Sequence, residues 1–158
     1  MISETDLAYI AGIIDGEGCI RVVKTHDARN KTGTAYQTRL VVGMQDEAPL
    51  RFCKERSRTG CFYESKKDNK RYFNWELSAH QCKKLIPLLL PYLICKRGQA
   101  HKLLELYDYM HDPTRKQPRN SLGQLQTSPD SYVQHLEEVY NELRKMKQRS
   151  VVCTGGSV

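Results

Sequence analysis

Features that would place a chain in a membrane or outside the cell are missing from this 158-residue sequence. No apolar run approaches the roughly 18 residues that a membrane-spanning helix needs. The N-terminal segment MISETDL lacks the basic stretch and the apolar core of a signal peptide. The six cysteines form no CxxC pair, which excludes metal-finger spacing, and their scatter is unlike a disulfide framework. These absences predict an intracellular, non-secreted protein with reduced thiols and no membrane contact.

Positive charge, by contrast, is in excess. Lysine and arginine total 25 against 18 aspartate and glutamate residues, which gives a net charge of +7 and a pI of about 9.1. A basic surface is typical of a nucleic-acid binder, because it attracts the phosphate backbone. The alternative is a small-molecule-binding or scaffold protein whose charge is incidental.

Hydrophobic periodicity predicts the order α-β-β-α-β-β-α, followed by two further helices. We expect a capping box at Ser3, an N-cap at Asp46 for the second helix, and a third helix over residues 79–93. This order predicts an α+β fold in which all helices lie on one face of a four-stranded antiparallel sheet. We expect one domain over residues 1–149, with a core at 3–111, a linker at 112–129 and a C-terminal helix at 130–149, and then a disordered tail at 150–158.

The other face of this sheet is expected to be free and polar. Strand alternation places on it a set of side chains that can form hydrogen bonds, several of them cationic: Arg21, Thr25, Gln37, Arg39, Tyr63, Ser65, Lys67, Tyr72, Asn74 and Glu76. Arg29 and Lys31 lie in the hairpin tip between the first two strands. Such side chains suit base edges and phosphates, so we predict a DNA-binding face. The alternative is a sheet face that is simply solvated.

The stretch YIAGIIDGEGCI, from Tyr9 to Ile20, ends an apolar helix with two acids among glycines. Gly12 and Gly16 are four residues apart, so they share one helix face and allow a second helix to approach closely. The chain has no second copy of the stretch, so the predicted partner is the same helix of a second subunit across a two-fold axis. This symmetry brings two Glu17 carboxylates together, where a shared Mg²⁺ would offset their repulsion. The alternative is a polar helix end with glycine caps.

These residues resemble a known family. The segment IAGIIDGEG, from Ile10 to Gly18, resembles the LAGLIDADG motif of homing endonucleases. The element order is also that of the family. PYLICKRGQA resembles the segment that carries a catalytic-site lysine, and SPDSYVQHL the start of a C-terminal helix in the single-motif, homodimeric branch. The resemblance covers nearly the whole chain up to about Arg149, although most members have Asp where this chain has Glu17.

The resemblance implies a role for individual residues. Glu17 matches the metal-binding acid, and the main-chain carbonyl of Gly16 can add a second metal ligand. Gln45 matches a residue that positions water, and Lys96 a lysine that stabilises charge or activates solvent, so Glu17, Gln45 and Lys96 are the implied catalytic residues. Ala11, Gly12 and Asp15 match the dimer interface, where Asp15 braces the paired helices.

The resemblance also implies the activity and the partners. We expect a site-specific endonuclease that binds double-stranded DNA as a homodimer and breaks both strands of a long pseudo-palindromic target, which promotes intron or intein mobility. The implied cofactor is Mg²⁺, with Mn²⁺ as a substitute and Ca²⁺ binding without turnover, and no small-molecule cofactor is expected. The alternative is a catalytically silent DNA- or RNA-binding relative, such as an RNA-splicing maturase.

Overall fold

The computed structural model describes residues 2–26, 34–112, 122 and 130–152. Its elements, in chain order, are α1 (Glu4–Glu17), β1 (Gly18–His26), β2 (Thr34–Met44), α2 (Ala48–Ser57), β3 (Cys61–Lys67), β4 (Lys70–Leu77), α3 (Ala79–Leu89), α4 (Arg97–His111) and α5 (Asp130–Val152). The four strands form one antiparallel sheet in the order β1-β2-β4-β3. The predicted α+β class and element order are confirmed.

Helix α1 begins and ends where local chemistry requires. The Ser3 hydroxyl accepts a hydrogen bond from the Asp6 N–H at 3.1 Å, and the Asp6 carboxylate accepts one from the Ser3 N–H at 3.3 Å, which is the predicted capping box. The helix runs directly into β1 at Gly18. A Cβ atom at Gly18 would lie 2.6 Å from the carbonyl oxygen of Ile14, so only glycine fits this junction.

Alternation along the strands separates the sheet into a buried and an open face. The buried face is largely apolar and includes Ile20, Val22, Leu40, Val42, Phe73, Trp75 and Leu77, together with the buried polar residue Thr38. The helices pack against this face, and Ile10 and Ile14 of α1 and Leu85, Ile86 and Leu89 of α3 complete the main core. Burial of this apolar area is the principal stabilising contribution, at about 25 cal/mol for each Å².

Helix α5 closes a second, smaller core. Its residues Leu136, Val139 and Leu143 are buried against Val22 of β1 and Leu106 of α4. The pairs Lys24–Glu137 at 2.7 Å and Lys102–Glu142 at 2.9 Å tie the same helix to β1 and α4. The C-terminal helix is therefore part of the packed domain.

Several boundaries differ from the prediction. Glu47, not Asp46, is the N-cap of α2, and the Asp46 carboxylate instead accepts a hydrogen bond from the Ala48 N–H at 3.1 Å. Helix α3 ends at Leu89 and not at residue 93, because Pro91 cannot supply the N–H that continued helix would need. Helix α5 reaches Val152, so the predicted disordered tail is wrong for residues 150–152.

Some predictions fall where the structure gives no description. Arg29, Lys31, most of the 112–129 linker and residues 153–158 lie outside the described residues.

Among the described cysteines, Cys53 and Cys82 are buried, and burial raises the pKa of the Cys53 thiol to about 11 and that of Cys82 to about 12. No helix in the described part of the chain is both long and apolar enough to cross a membrane.

Candidate active site and nucleic-acid interface

The C-terminal end of α1 is joined to the loop that precedes α4. The Asp15 carboxylate accepts hydrogen bonds from the Ile94 N–H at 2.7 Å and from the Lys96 N–H at 2.8 Å. In return, the Lys96 ammonium donates a hydrogen bond to the main-chain carbonyl of Asp15. Carbonyls in the last turn of a helix lack intrahelical partners and carry partial negative charge, which explains why a lysine is bound there. The two segments therefore form one unit.

Glu17 has quite different surroundings. Its side chain is exposed, and within the described residues no hydrogen bond or ion pair engages its carboxylate. The last turn of α1 contains no basic residue. A carboxylate at the negative end of a helix dipole that forms no ion pair within the described residues is electrostatically unfavourable, and a bound cation would relieve this.

Gln45 lies at the same end of the sheet as Glu17. It follows β2 directly, and Val42 of β2 is paired with Gly18, the residue after Glu17. The Gln45 amide nitrogen donates a hydrogen bond to the Tyr72 hydroxyl at 3.1 Å, which holds the side chain against β4. Because Lys96 is bound to Asp15, the fold places the three predicted catalytic residues around the end of α1.

This arrangement fits a divalent cation only if ligands come from elsewhere as well. No group of three or more His, Cys, Asp or Glu side chains that could hold a metal exists in the part of the chain that the structure describes. One chain therefore offers the Glu17 carboxylate and main-chain carbonyls such as that of Gly16. Oxygen ligands of this kind suit Mg²⁺, which usually takes one or two carboxylates and completes its shell with phosphates and water.

The outer face of α1 is open in the single chain. A Cβ atom built at Gly12 or Gly16 would meet no atom within 4 Å, and Tyr9 on the same stripe is 46% exposed. The prediction of Ala11 in a dimer interface is wrong, because Ala11 is 0% exposed and lies in the chain's own core. Asp15 also acts within its own chain, through the loop at Ile94 and Lys96. Its contact with a second chain stays a prediction.

The open face of the sheet carries the residues that alternation assigned to it. Cross-strand pairing sets Arg21 opposite Arg39, and it sets Asn74 opposite Tyr63. Thr25, Gln37, Ser65 and Tyr72 have the same alternation, whereas the side chain of Lys67 lies outside the described residues. This face also carries residues that were not predicted to bind DNA, namely Cys19, Val23, Val41, Gly43 and Cys61.

Side chains on this face are already connected to one another. Arg39 donates hydrogen bonds to Glu76 at 2.8 Å and to Gln37 at 2.9 Å, and the Tyr63 hydroxyl donates to the second Glu76 oxygen at 3.0 Å. Burial, and then the bond to Glu76, raises the pKa of Tyr63. Both oxygens of Glu76 are engaged, so this acid orients Arg39 in the free chain.

Comparisons with known proteins agree with this geometry. A family model described as LAGLIDADG endonuclease matches residues 10–107. Among solved structures, the archaeal intron-encoded homing endonuclease I-Vdi141I, complexed with DNA, is similar with a TM-score of 0.73 at 18% identity, over 90% of this chain and 84% of that chain. No curated protein sequence matches the chain at a significant level.

Two further structures show the same fold. The homing endonuclease I-CvuI, in complex with a DNA target in the presence of Mg, has a TM-score of 0.71 at 16% identity, over 90% of this chain and 82% of that chain. The LAGLIDADG homing endonuclease I-LtrWI, bound to target DNA, has a TM-score of 0.60 at 26% identity, over 68% of this chain and 38% of that chain. With the family model matching more than half of its length, the chain belongs to the LAGLIDADG endonuclease family.

Proposed function

We propose that the chain is a site-specific homing endonuclease that acts as a homodimer on a long, pseudo-palindromic duplex DNA target. It hydrolyses one phosphodiester bond in each strand with a divalent metal, and the double-strand break promotes the mobility of an intron or intein. The observation that carries this proposal is the exposed, unengaged Glu17 at the end of α1, beside the anchored Lys96.

The polar sheet face supports the DNA-binding part of the proposal. A twisted antiparallel ribbon can enter the major groove, where base pairs present distinct donor and acceptor patterns. Arg39 is suited to guanine, and Asn74 and Gln37 are suited to adenine. Contacts to phosphates would supply most of the affinity, and contacts to base edges the specificity. The related structures I-Vdi141I and I-CvuI are complexes with DNA.

In the proposed site, Glu17 and the Gly16 carbonyl hold the divalent cation. A bound cation of this kind supplies charge stabilisation to the phosphate and to the leaving oxygen. Structures of I-CvuI were determined in the presence of Mg and of Ca, which agrees with divalent metal use. Gln45 has one amide N–H bonded to Tyr72, so its carbonyl oxygen can orient a water molecule. The Lys96 ammonium adds positive charge where the phosphate becomes more negative.

The open stripe of α1 supports the homodimer. Gly12 and Gly16 leave room for a second backbone, and two-fold symmetry is the commonest arrangement of identical subunits. Pairing α1 with its copy would bring the two Glu17 side chains to the centre of the assembly. One acid for each strand is what double-strand cleavage requires.

A cleavage assay on cloned DNA tests the proposal. Wild-type protein is incubated with a plasmid library of genomic fragments from the source organism and from relatives without the intron or intein, with Mg²⁺, Mn²⁺, Ca²⁺ or EDTA. We expect linear product at a discrete sequence, with short 3′ overhangs, in Mg²⁺ and Mn²⁺ only. Salt-dependent DNA binding without any linear product in either metal would contradict the endonuclease and favour a silent binder such as a maturase.

A further inference from the structure

A cleft of about 400 Å³ lies between α5 and β1. β1 is an edge strand of the sheet, so one side of it is free for another element. Ile20, Val22 and Leu143 form the apolar floor of the cleft. Three exposed cations, Arg21, Arg144 and Lys147, form its rim.

Helix geometry explains why cations of α5 reach the cleft. Leu136, Val139 and Leu143 form the buried stripe that fixes the rotation of the helix. Arg144 and Lys147 are three residues apart and therefore project from one face, directly beside that stripe. The Arg144 guanidinium lies over the Tyr140 ring, 5.7 Å from its centroid, and is held there by this contact.

One of these cations extends round the edge of the sheet. The Lys147 ammonium lies 3.4 Å from the Cys19 sulfur. Cys19 alternates with Ile20 and shares its face with Arg21, so it belongs to the open face of the sheet. Cys19 is also only two residues from Glu17 in the chain. Helix α5 thus adds positive charge to the open face at its catalytic end.

Ion pairing divides the described cations into two groups. Ion pairs to carboxylates engage Lys24, Arg39, Arg51, Arg56, Arg71, Lys83 and Lys102. Within the described residues, no carboxylate pairs with Arg21 or Arg144. The helix dipole favours cations in the last turns of α5, but it does not explain why they converge with Arg21 from another element on one cleft.

We propose that this cleft is a phosphate-binding surface, which extends the DNA-binding face round the β1 edge. Arg144 and Lys147 contact the DNA backbone close to the phosphates at Glu17 and fix the register of the duplex. A guanidinium can bind phosphate oxygens through two parallel hydrogen bonds, and an ammonium adds a point charge. The inference rests on the proposed DNA-binding function.

Salt dependence of binding tests the cleft without knowledge of the target sequence. The dissociation constant for a random-sequence DNA duplex is measured across salt concentrations for wild type, Arg144→Ala, Lys147→Ala and the double variant. The slope of log affinity against log salt is negative, and each lost phosphate contact makes it less steep by about 0.9. We therefore expect the double variant to lose about 1.8 of this steepness for each chain. Lys84→Ala on α3 removes an exposed cation from the helical layer and is expected to leave the slope unchanged.

The salt titrations distinguish failure of the cleft proposal from failure of the proposed DNA-binding function. A wild-type affinity that ignores salt would contradict DNA recognition altogether. A salt-dependent wild type with an unchanged slope in the double variant would overturn the cleft proposal alone. The variants Arg144→Gln and Lys147→Gln keep part of the aliphatic stem and lose the charge, so they must reproduce the change in slope if charge is its cause.

Discussion

At the scale of single residues, the two acids of the motif have separate roles. Asp15 and Glu17 are two positions apart in one helix turn, yet Asp15 accepts two main-chain hydrogen bonds from the 94–96 loop, whereas Glu17 is exposed and unengaged. A carboxylate that accepts two N–H bonds is part of the structure of the domain. A carboxylate without partners at a helix C-terminus lowers stability slightly, and the proposed role of Glu17 is to bind the metal.

The first prediction concerns stability. Asp15→Asn removes the charge from both hydrogen bonds, and its amide oxygen replaces only one acceptor, so we expect a loss of about 1–3 kcal/mol in the free energy of unfolding. Urea denaturation measures this loss. Glu17→Gln is the matched control in the same turn, and its unfolding free energy should stay within about 0.5 kcal/mol of wild type or rise. Equal losses in the two variants would contradict the separation of roles.

At the scale of elements, α5 is fixed to the sheet by a polar contact as well as by its apolar stripe. Glu137 accepts hydrogen bonds from the Lys24 ammonium at 2.7 Å and from the Tyr36 hydroxyl. The bond from Lys24, and then that from Tyr36, lowers the pKa of Glu137 below its ordinary value of 4.5. Burial, followed by the bond to Glu137, raises the pKa of Tyr36.

The second prediction concerns the pH dependence of this contact. A lowered carboxyl pKa means that the contact stabilises the fold above the unfolded pKa and that its contribution disappears as pH falls through the folded pKa. The difference in unfolding free energy between wild type and Glu137→Gln should therefore be constant from about pH 6 to 8 and shrink below about pH 4.5. Urea titrations at several pH values measure it. Glu138→Gln, at an exposed neighbouring position of α5, should show no such pH dependence.

Elements were largely predictable from the sequence, and their contacts were not. A period of two along β4 identifies Phe73, Trp75 and Leu77 as buried and Tyr72, Asn74 and Glu76 as open, because alternation is a property of the strand itself. By contrast, Arg39 and Glu76 are 37 positions apart in sequence, and Asp15 and Lys96 are 81 apart. Such pairs depend on strand order and helix docking, which no local pattern determines.

The dependence of contacts on helix docking also explains why the prediction of Ala11 in a dimer interface was wrong. The motif indicates a helix with small residues, but a small residue can face either a second chain or the chain's own core. Only the packing of α1 on the sheet decides that Gly12 faces outward and Ala11 inward. The start of α2 was wrong by one residue because adjacent residues could serve as the cap, whereas the end of α3 was placed too late because the effect of Pro91 was not taken into account.

At the scale of the whole molecule, the proposed site is incomplete in one chain. At the proposed site, one chain offers a single exposed acid, Glu17. The open stripe at Gly12 and Gly16 is where a second copy of the chain would pack. Homodimer formation is therefore predicted to be necessary for double-strand cleavage. In the proposed dimer, binding by two sheet faces would double the length of DNA that is read, as a long, pseudo-palindromic target would require.

The third prediction concerns this assembly. Gly12→Leu adds a side chain where the single chain has open space, and leucine favours helix over glycine by roughly 0.8 kcal/mol, so the monomer should fold normally. The same side chain would overpack a helix–helix contact and weaken dimerisation about tenfold or more. Sedimentation equilibrium measures the change, and Glu138→Leu controls for added apolar surface. A Gly12→Leu dimer as tight as wild type would place the interface elsewhere.

The central claim is that Glu17 makes this chain a metal-dependent endonuclease. The most direct test is the rate of double-strand cleavage in Mg²⁺ by wild type, Glu17→Gln and Glu55→Gln, with DNA affinity measured on the same target. Glu55 is an exposed acid of α2 and controls for loss of one negative charge. We expect Glu17→Gln to cleave at least about a hundredfold more slowly with nearly unchanged affinity, and Glu55→Gln to match wild type. Cleavage by Glu17→Gln at the wild-type rate would contradict the claim.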